Sequence, residues 1–428
     1  MNIAVAQSGG PTCAINSSLV GVFKEAIKEP EIDAVFGSVN GIEGIIHNHL
    51  VDLKSLIFTN DDMELLRQTP STVLGSCRYK LPDHNEDDSV YKKILETLKQ
   101  RQIGAFFYIG GNDSMDTVNK LSEYFRREAA DIKVIGIPKT IDNDLCITDH
   151  TPGFGSAAKY VAATMQEIVR DSSVYSMPSV TIVEVMGRHA GWLTASSAVL
   201  HALGETAPHL IYVPERSFNI NAFMKDVRQE MAKHKAVIVA VSEGIEVPDV
   251  SVAEQTACTE NNIGEEKCEE AAVSYRSGVV DNFGHKYLSG IGKYLEETVR
   301  KEIGCKVRSI ELNVMQRCSS HMCSRTDIDE AEAIGAAGVR CALSGETGKV
   351  MVFRRVNDMP YTIVIETTNA ANIANNEKFL PDEFITPAGN NINDNALKYF
   401  LPLIQGELNI IMDRGIPKHF TIQESVLK

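Results

Sequence analysis

The sequence predicts an α/β fold built of two doubly wound halves, and three observations carry that expectation. Short β-branched runs are each followed by a Gly or Asp/Asn turn and then by a helix-length amphipathic segment, the alternation of a parallel sheet covered by helices. The same unit recurs on both sides of a polar loop at 138–149. A chain of 428 residues has room for about three domains of roughly 150 residues, or for two large ones with extensions.

The elements follow in order. Residues 2–6 form a strand, Gly9-Gly10-Pro11 a turn and 14–28 a helix; strand 105–109, Gly110-Gly111 and helix 115–127 repeat the unit, and 133–137 adds a strand. The second series has helix 156–170, strand 179–185, helix 189–200, strand 210–213, helix 220–233 and strand 236–241. Residues 247–282 break the rhythm with paired glutamates and asparagines, and are expected to be a solvated insertion. Helix 289–302, strand 306–310 and helix 328–343 restore it, whereas the pattern beyond about Val356 is mixed.

Composition limits the function. Lys and Arg number 42 against 57 Asp and Glu, a net charge of −15, which argues against a general nucleic-acid or anionic-membrane surface and leaves room for a local cationic pocket. Nine cysteines with no Cys-x-x-Cys pair, and no targeting or membrane-length apolar stretch, point to a reducing cytoplasm.

Ligands of open α/β sheets bind outside the carboxyl ends of the strands, so polar residues directly after strands are the candidates. In Ser8-Gly9-Gly10-Pro11-Thr12 the glycines can bring backbone N–H groups to an anion, or can serve backbone geometry alone. In Gly110-Gly111-Asn112-Asp113-Ser114, Asp113 would repel a phosphate unless a divalent metal lay between them; the alternative is an Asx turn capped by Ser114. Pro138-Lys139-Thr140-Ile141-Asp142-Asn143-Asp144 packs a lysine, a hydroxyl and two carboxylates into one turn. One carboxylate can take a hydroxyl proton, the other can position it or a metal, and the lysine can neutralise phosphate; a solvated Asx turn is the alternative. In Met186-Gly187-Arg188-His189, Arg188 can hold a phosphate or share transition-state charge, while His189 and Trp192 read as helix-start and packing residues. Arg78, Arg308 and Arg317 join only if the fold brings them in.

These loops, with Gly75-Ser76-Cys77-Arg78, Val183-Glu184-Val185-Met186-Gly187-Arg188, Val241-Ser242-Glu243-Gly244 and Gln316-Arg317, stand in the order and spacing of the 6-phosphofructokinase family, which the chain resembles from about residue 2 to 345. ATP users of that family typically carry glycine where Lys139 and Asp113 stand, so this sequence looks like the diphosphate-dependent branch, as does the stretch Asp281-Asn282-Phe283-Gly284-His285. The physical sense is that Lys139 and Asp113 redefine the space a nucleotide α-phosphate needs, while Lys139 supplies a point charge for a small anion.

The resemblance implies two doubly wound Rossmann-like domains of the phosphofructokinase type, with the active site in the cleft between them. The donor domain would span 1–155 and 316–365, the sugar-phosphate domain 156–315 and 366–428. The implied reaction is reversible transfer from diphosphate to the 1-hydroxyl of fructose 6-phosphate. Asp142 would be the base, Asp144 its orienting partner, and Arg188 with Lys139 would stabilise the moving phosphoryl group. Thr140, Met186, Gly187 and Glu243 would contact the sugar. Arg308, reaching in from a neighbouring subunit, and Arg317 would grip the 6-phosphate. Gly10, Arg78, Asn112 and Lys139 would hold diphosphate, and Asp113 its Mg2+. A homo-oligomer, dimer or tetramer, is implied as well.

The chain also departs from the family. Asn112 stands where a magnesium aspartate is common, Cys318-Ser319-Ser320 replaces a glycine pair, Val314 replaces a His or Tyr, and Met177-Pro178-Ser179 lacks an arginine. Three alternatives therefore stay open: ATP as donor, sedoheptulose 7-phosphate as acceptor, or an inactive regulatory subunit.

Overall fold

The computed structural model describes residues 1–247, 276–280, 286–288 and 290–422. Most of the expected insertion at 247–282, and the 281–285 stretch, lie outside the described residues.

The chain begins β1 (Asn2–Gln7), α1 (Ile15–Ala26), β2 (Val35–Ser38), α2 (Ile42–Ile46), β3 (Leu50–Asp52), α3 (Asn60–Gln68), α4 (Ser89–Gln100), β4 (Ile103–Gly110), α5 (Asn112–Arg127), β5 (Lys133–Pro138) and α6 (Phe154–Ser173). It continues β6 (Ser179–Val185), α7 (Trp192–Ser196), β7 (Leu210–Tyr212), α8 (Ile220–Met231), β8 (Ala236–Ser242), β9 (Arg276–Val280), β10 (Lys286–Leu288), α9 (Ile291–Ile303) and β11 (Lys306–Glu311). Then come α10 (Arg325–Leu343), β12 (Lys349–Asp358), β13 (Tyr361–Asn369) and α11 (Asp394–Leu403).

Two compact units result: Met1–Ala157 with Arg317–Lys378 and Pro402–Lys428, and Ala158–Gln316 with Phe379–Leu401. The tail, expected to belong wholly to the second domain, is divided. Its last part joins the first unit because its backbone bonds there: Gln68 donates to the carbonyls of Ile411 and Lys418, and Ser324 to that of Leu403.

The first unit holds a seven-stranded sheet in the order β13-β12-β5-β4-β1-β2-β3. Its inner pairs are parallel, while β2–β3 and β12–β13 at the two edges are antiparallel. The central β4, Ile-Gly-Ala-Phe-Phe-Tyr-Ile-Gly, is buried on both faces, which is why it reads as a continuous apolar run rather than an alternating one. Ile3, Val5, Phe107 and Ile135 point into one core layer with Leu19, Val22 and Ile334 of α1 and α10; Phe106, Tyr108 and Val134 face the other, with Ile94, Val118 and Leu121 of α4 and α5. Thr59 and Asp62 form a reciprocal capping box that starts α3.

The second unit holds a four-stranded, wholly parallel sheet, β11-β6-β8-β7. Val180, Ile182, Val237, Val239 and Val241 bury against Phe223 and Val227 of α8 and Leu295 and Val299 of α9. Where a helix was expected over 189–200, only the short α7 forms, followed by a 3-10 turn over Ser197–Leu203. The β12–β13 hairpin occupies the stretch whose pattern was mixed. Among the described residues no helix is long and apolar enough to cross a membrane.

Candidate active site

In the first unit β5, β4 and β1 are parallel neighbours, so the loops after them rise side by side from one sheet edge. Backbone bonds tie them together: Ser8 N–H donates to the Ile109 carbonyl at 2.9 Å, and Lys139 N–H to the Gly110 carbonyl at 2.9 Å. Three of the four loops singled out in the sequence thus converge because their strands are adjacent in the sheet.

Lys139 is buried, 2% exposed, and its ammonium donates to the Gly10 carbonyl at 2.6 Å. Gly9 makes this possible: its φ of +76° lies in the left-handed region, and a Cβ there would stand 3.2 Å from the lysine nitrogen. A Cβ on Gly10 would stand 3.5 Å from the Arg317 guanidinium. Burial lowers the Lys139 pKa to about 8; Asp142 and Asp144 oppose the shift, and Arg317 and Arg78 add to it. Arg78, Lys139 and Arg317 therefore form one cationic group beside the Gly10 turn. Of the two arginines that the resemblance assigns to the sugar phosphate, Arg317 lies in the first unit over the glycine turn and Arg308 in the second.

The carboxylates stand one turn further on. Asp142 accepts from the Thr140 hydroxyl at 3.3 Å, and its N–H donates back to the same hydroxyl at 3.1 Å. Asn143, buried and at φ +55°, turns the chain so that Asp144 follows on the same loop. Asp144 is partly buried, and burial, followed by the charge of Asp142, holds its carboxyl well above the ordinary range. A carboxyl group of raised proton affinity beside a second carboxylate is a combination that acid/base chemistry can use.

Asp113 lies in the first turn of α5, which begins at Asn112, three residues earlier than expected, with Gly111 rather than Ser114 at the cap position. Both ends of the Asn112 amide are engaged: Oδ1 accepts from Asn375 N–H at 2.6 Å, and Nδ2 donates to the Asn376 carbonyl at 2.8 Å. Asn112, expected on diphosphate, is thus built into the support of the loop. Among the described residues no group of three or more His, Cys, Asp or Glu side chains is arranged to hold a metal ion. A single hard oxygen donor such as Asp113 suits Mg2+ carried mainly by phosphate oxygens.

In the second unit β6 and β8 are parallel partners, with Val185 beside Ser242, so Met186-Gly187-Arg188 and Glu243 leave adjacent strand ends. Met186 N–H donates to the Gln316 side chain at 3.1 Å, and Gly187 N–H to Glu243 Oε1 at 3.4 Å. Gly187 sits at φ +140°, and a Cβ on Gly244 would run into the Arg188 carbonyl, so the two turns can interlock only as glycines. Arg188 Nε is buried without a hydrogen-bond partner, an orphaned donor suited to an anion. Arg308 is not at a strand end: it is the third residue of β11, beside Thr181, and pairs with Asp171 at 3.2 Å on a half-exposed surface.

Gln316, quoted in the sequence only as part of a motif, orients Met186. Lys378, which reaches the Asp142–Asp144 turn from beyond β13, escaped the sequence reading; a lone lysine in a segment without periodic pattern carries no signal of its own.

Strand ends that gather cations beside a carboxylate pair equip the fold for phosphoryl transfer, and the chain is a phosphotransferase. The sequence profile described as Phosphofructokinase matches residues 2–341, and the chain belongs to that family. It is 37% identical over 425 residues to the pyrophosphate-fructose 6-phosphate 1-phosphotransferase of Xanthomonas campestris pv. campestris (strain B100), covering 99% of this chain and 96% of that protein. It is also 37% identical over 427 residues to the protein of the same name from Rhodospirillum rubrum, covering 99% and 97%. The crystal structure of a pyrophosphate-dependent phosphofructokinase from Marinobacter aquaeolei superimposes with a TM-score of 0.83 at 34% identity, covering 99% of this chain and 96% of that one.

Proposed function

We propose that the protein transfers a phosphoryl group reversibly from diphosphate to the 1-hydroxyl of fructose 6-phosphate, giving fructose 1,6-bisphosphate and phosphate. The observation that carries the choice of donor is the Lys139 ammonium seated on the Gly10 carbonyl at 2.6 Å, where it brings a compact charge to the strand-end turn. Its kinship with pyrophosphate-dependent relatives of nearly full length supports the same choice.

In this reading Gly10, Arg78, Lys139 and Arg317 hold diphosphate. Asp142, oriented by Thr140 and Asp144, takes the proton of the attacking hydroxyl. Met186, Gly187 and Glu243 bind the sugar, and Arg188 with its unpartnered Nε shares the charge of the moving phosphoryl group. Mg2+, held by Asp113 and the diphosphate oxygens, would neutralise charge on the donor. Arg308, on the surface of the second unit, serves a neighbouring subunit of a homo-oligomer. Small, multiply charged phosphate substrates of this kind support a cytoplasmic location.

The test is a panel of diphosphate and ATP against fructose 6-phosphate and sedoheptulose 7-phosphate, with Mg2+ and the purified protein. Turnover with diphosphate and fructose 6-phosphate is expected; transfer from ATP with none from diphosphate overturns the reading.

A further inference from the structure

The segment between β13 and Phe379 binds two of the loops described above. At one end, Asn375 N–H and the Asn376 carbonyl clamp the Asn112 amide, and Asn375 Nδ2 donates to Asp116 at 3.3 Å. At the other, Glu377 forms a β-bridge with Leu145, and Lys378 N–H donates to the Asp144 carbonyl at 2.7 Å. The Lys378 ammonium then reaches under the turn and donates to Asn143 Oδ1 at 3.3 Å, the Thr148 carbonyl at 3.1 Å and the Asp149 carbonyl at 2.8 Å. Three donors meet three acceptors on one loop, and Asn143 Oδ1 also accepts from Thr151 N–H at 3.2 Å.

We propose that Lys378 is a positioning residue for phosphoryl transfer, whose ammonium locks the left-handed Asn143 turn and so fixes where Asp142 and Asp144 stand. This rests on the function proposed above. The physical case is one of alternatives. Asn143 is buried at φ +55°, a conformation that asparagine tolerates better than most residues but that still has to be held, and Lys378 and the Thr151 N–H both grip its side chain. Without the lysine, the part-buried Thr148 and Asp149 carbonyls and the Asn143 amide would lose their shared donor, and the turn would relax.

The charge has a second effect. Asp144 faces Asp142 and Glu377, whose charges raise its pKa, and Lys378, whose charge lowers it. Lys378 itself is brought down to about 8 by burial and by Arg355, against Asp149, Asp144 and Cys146, so it is charged at neutral pH. Removing that charge leaves the carboxylates holding protons to higher pH.

The experiment compares Lys378→Met and Lys378→Arg with the full wild-type chain, measuring kcat, both KM values and the pH profile of kcat at matched folded fraction. Lys378→Met is expected to lower kcat about 100-fold, the cost of a roughly 1 Å misplacement of reacting groups. Its KM for diphosphate should stay within about twofold and the acidic limb of its kcat profile should move to higher pH. Lys378→Arg should keep the limb in place and recover part of kcat. A Met variant with wild-type kcat and an unmoved acidic limb overturns the proposal. If the Met variant does not fold, the Arg variant decides: an unchanged kcat overturns the proposal, and a lowered kcat with an unmoved limb supports it. Wild-type protein without diphosphate turnover would instead overturn the function reading, and the inference with it.

Discussion

The Lys139 ammonium rests on the Gly10 carbonyl at 2.6 Å, so the residue that marks the diphosphate branch in sequence is hydrogen-bonded to the turn expected to hold the donor. Loss of a charge-assisted contact of this kind costs about 1.5–3 kcal/mol, roughly 10- to 100-fold. Lys139→Gly should raise the KM for diphosphate by that factor while the KM for fructose 6-phosphate changes little; steady-state kinetics with each substrate varied in turn measures it.

The same lysine should give the pH profile a basic limb. Its pKa is lowered to about 8, so the charged form is present below that value and is lost as pH rises through it. kcat/KM for diphosphate should fall above about pH 8. Lys139→Arg, charged throughout, should abolish the limb, and a limb that stays at the same pH would assign it to another group.

Arg317 and Arg308 separate kinetically. Arg317 stands over Gly10 in the first unit, whereas Arg308 lies on the surface of the second. Arg317→Ala should raise the KM for diphosphate about 10-fold or more, the lower end of what a charged hydrogen bond contributes. Arg308→Ala should leave that KM unchanged and raise the one for fructose 6-phosphate.

Asp144 should destabilise the fold at high pH. Its native pKa is raised to about 7, so the native state binds more protons than the unfolded chain between the ordinary aspartate value and 7. The group's contribution to stability is therefore greatest at acid pH and is lost as pH rises through about 7, the reverse of a salt-bridged aspartate. Asp144→Asn should raise Tm at pH 8 by about 2–4 °C, the effect of ~1 kcal/mol in a domain of 150–250 residues, and have little effect near pH 4. Calorimetry at the two pH values checks this.

His150 behaves oppositely. It is buried between Asp149 at 2.8 Å and Glu330 at 2.7 Å and stacks on Phe353. Burial disfavours its charge, but the two carboxylates prevail and raise its pKa to about 9. Its stabilising charge is fully present below the unfolded value of about 6.5 and is lost as pH rises through about 9. His150→Phe should cost about 3 kcal/mol near neutrality, because it leaves buried carboxylates short of a partner. Denaturant melts from pH 6 to 10 should show a decline in the wild type that is flattened in the variant.

Much of the site was legible because its signals are local. A strand followed by a turn rich in Gly, Asp or Lys is read within about ten residues, and adjacent parallel strands then bring such turns together without further information. That is how Gly10, Lys139, Asp142, Asp144 and Met186–Arg188 were found, whereas Glu243 came from the family resemblance. The roles of Arg317 and Asn112 came from the family resemblance, and a motif match does not say whether a side chain faces a ligand or the protein. Asn112 turned to the Asn375–Asn376 backbone, and Arg317 to the glycine turn.

The sequence by itself determined the α/β class, the strand-end loops and the residue types that make this a phosphofructokinase, because hydrophobic periodicity and turn chemistry are properties of neighbours along the chain. The tertiary structure decided which unit each returning segment joins, that the mixed stretch beyond about Val356 enters an antiparallel edge hairpin, and that Lys378 grips a turn 235 residues before it. Those outcomes depend on buried donors and acceptors finding partners across the fold, and such pairings leave no periodic trace in the chain.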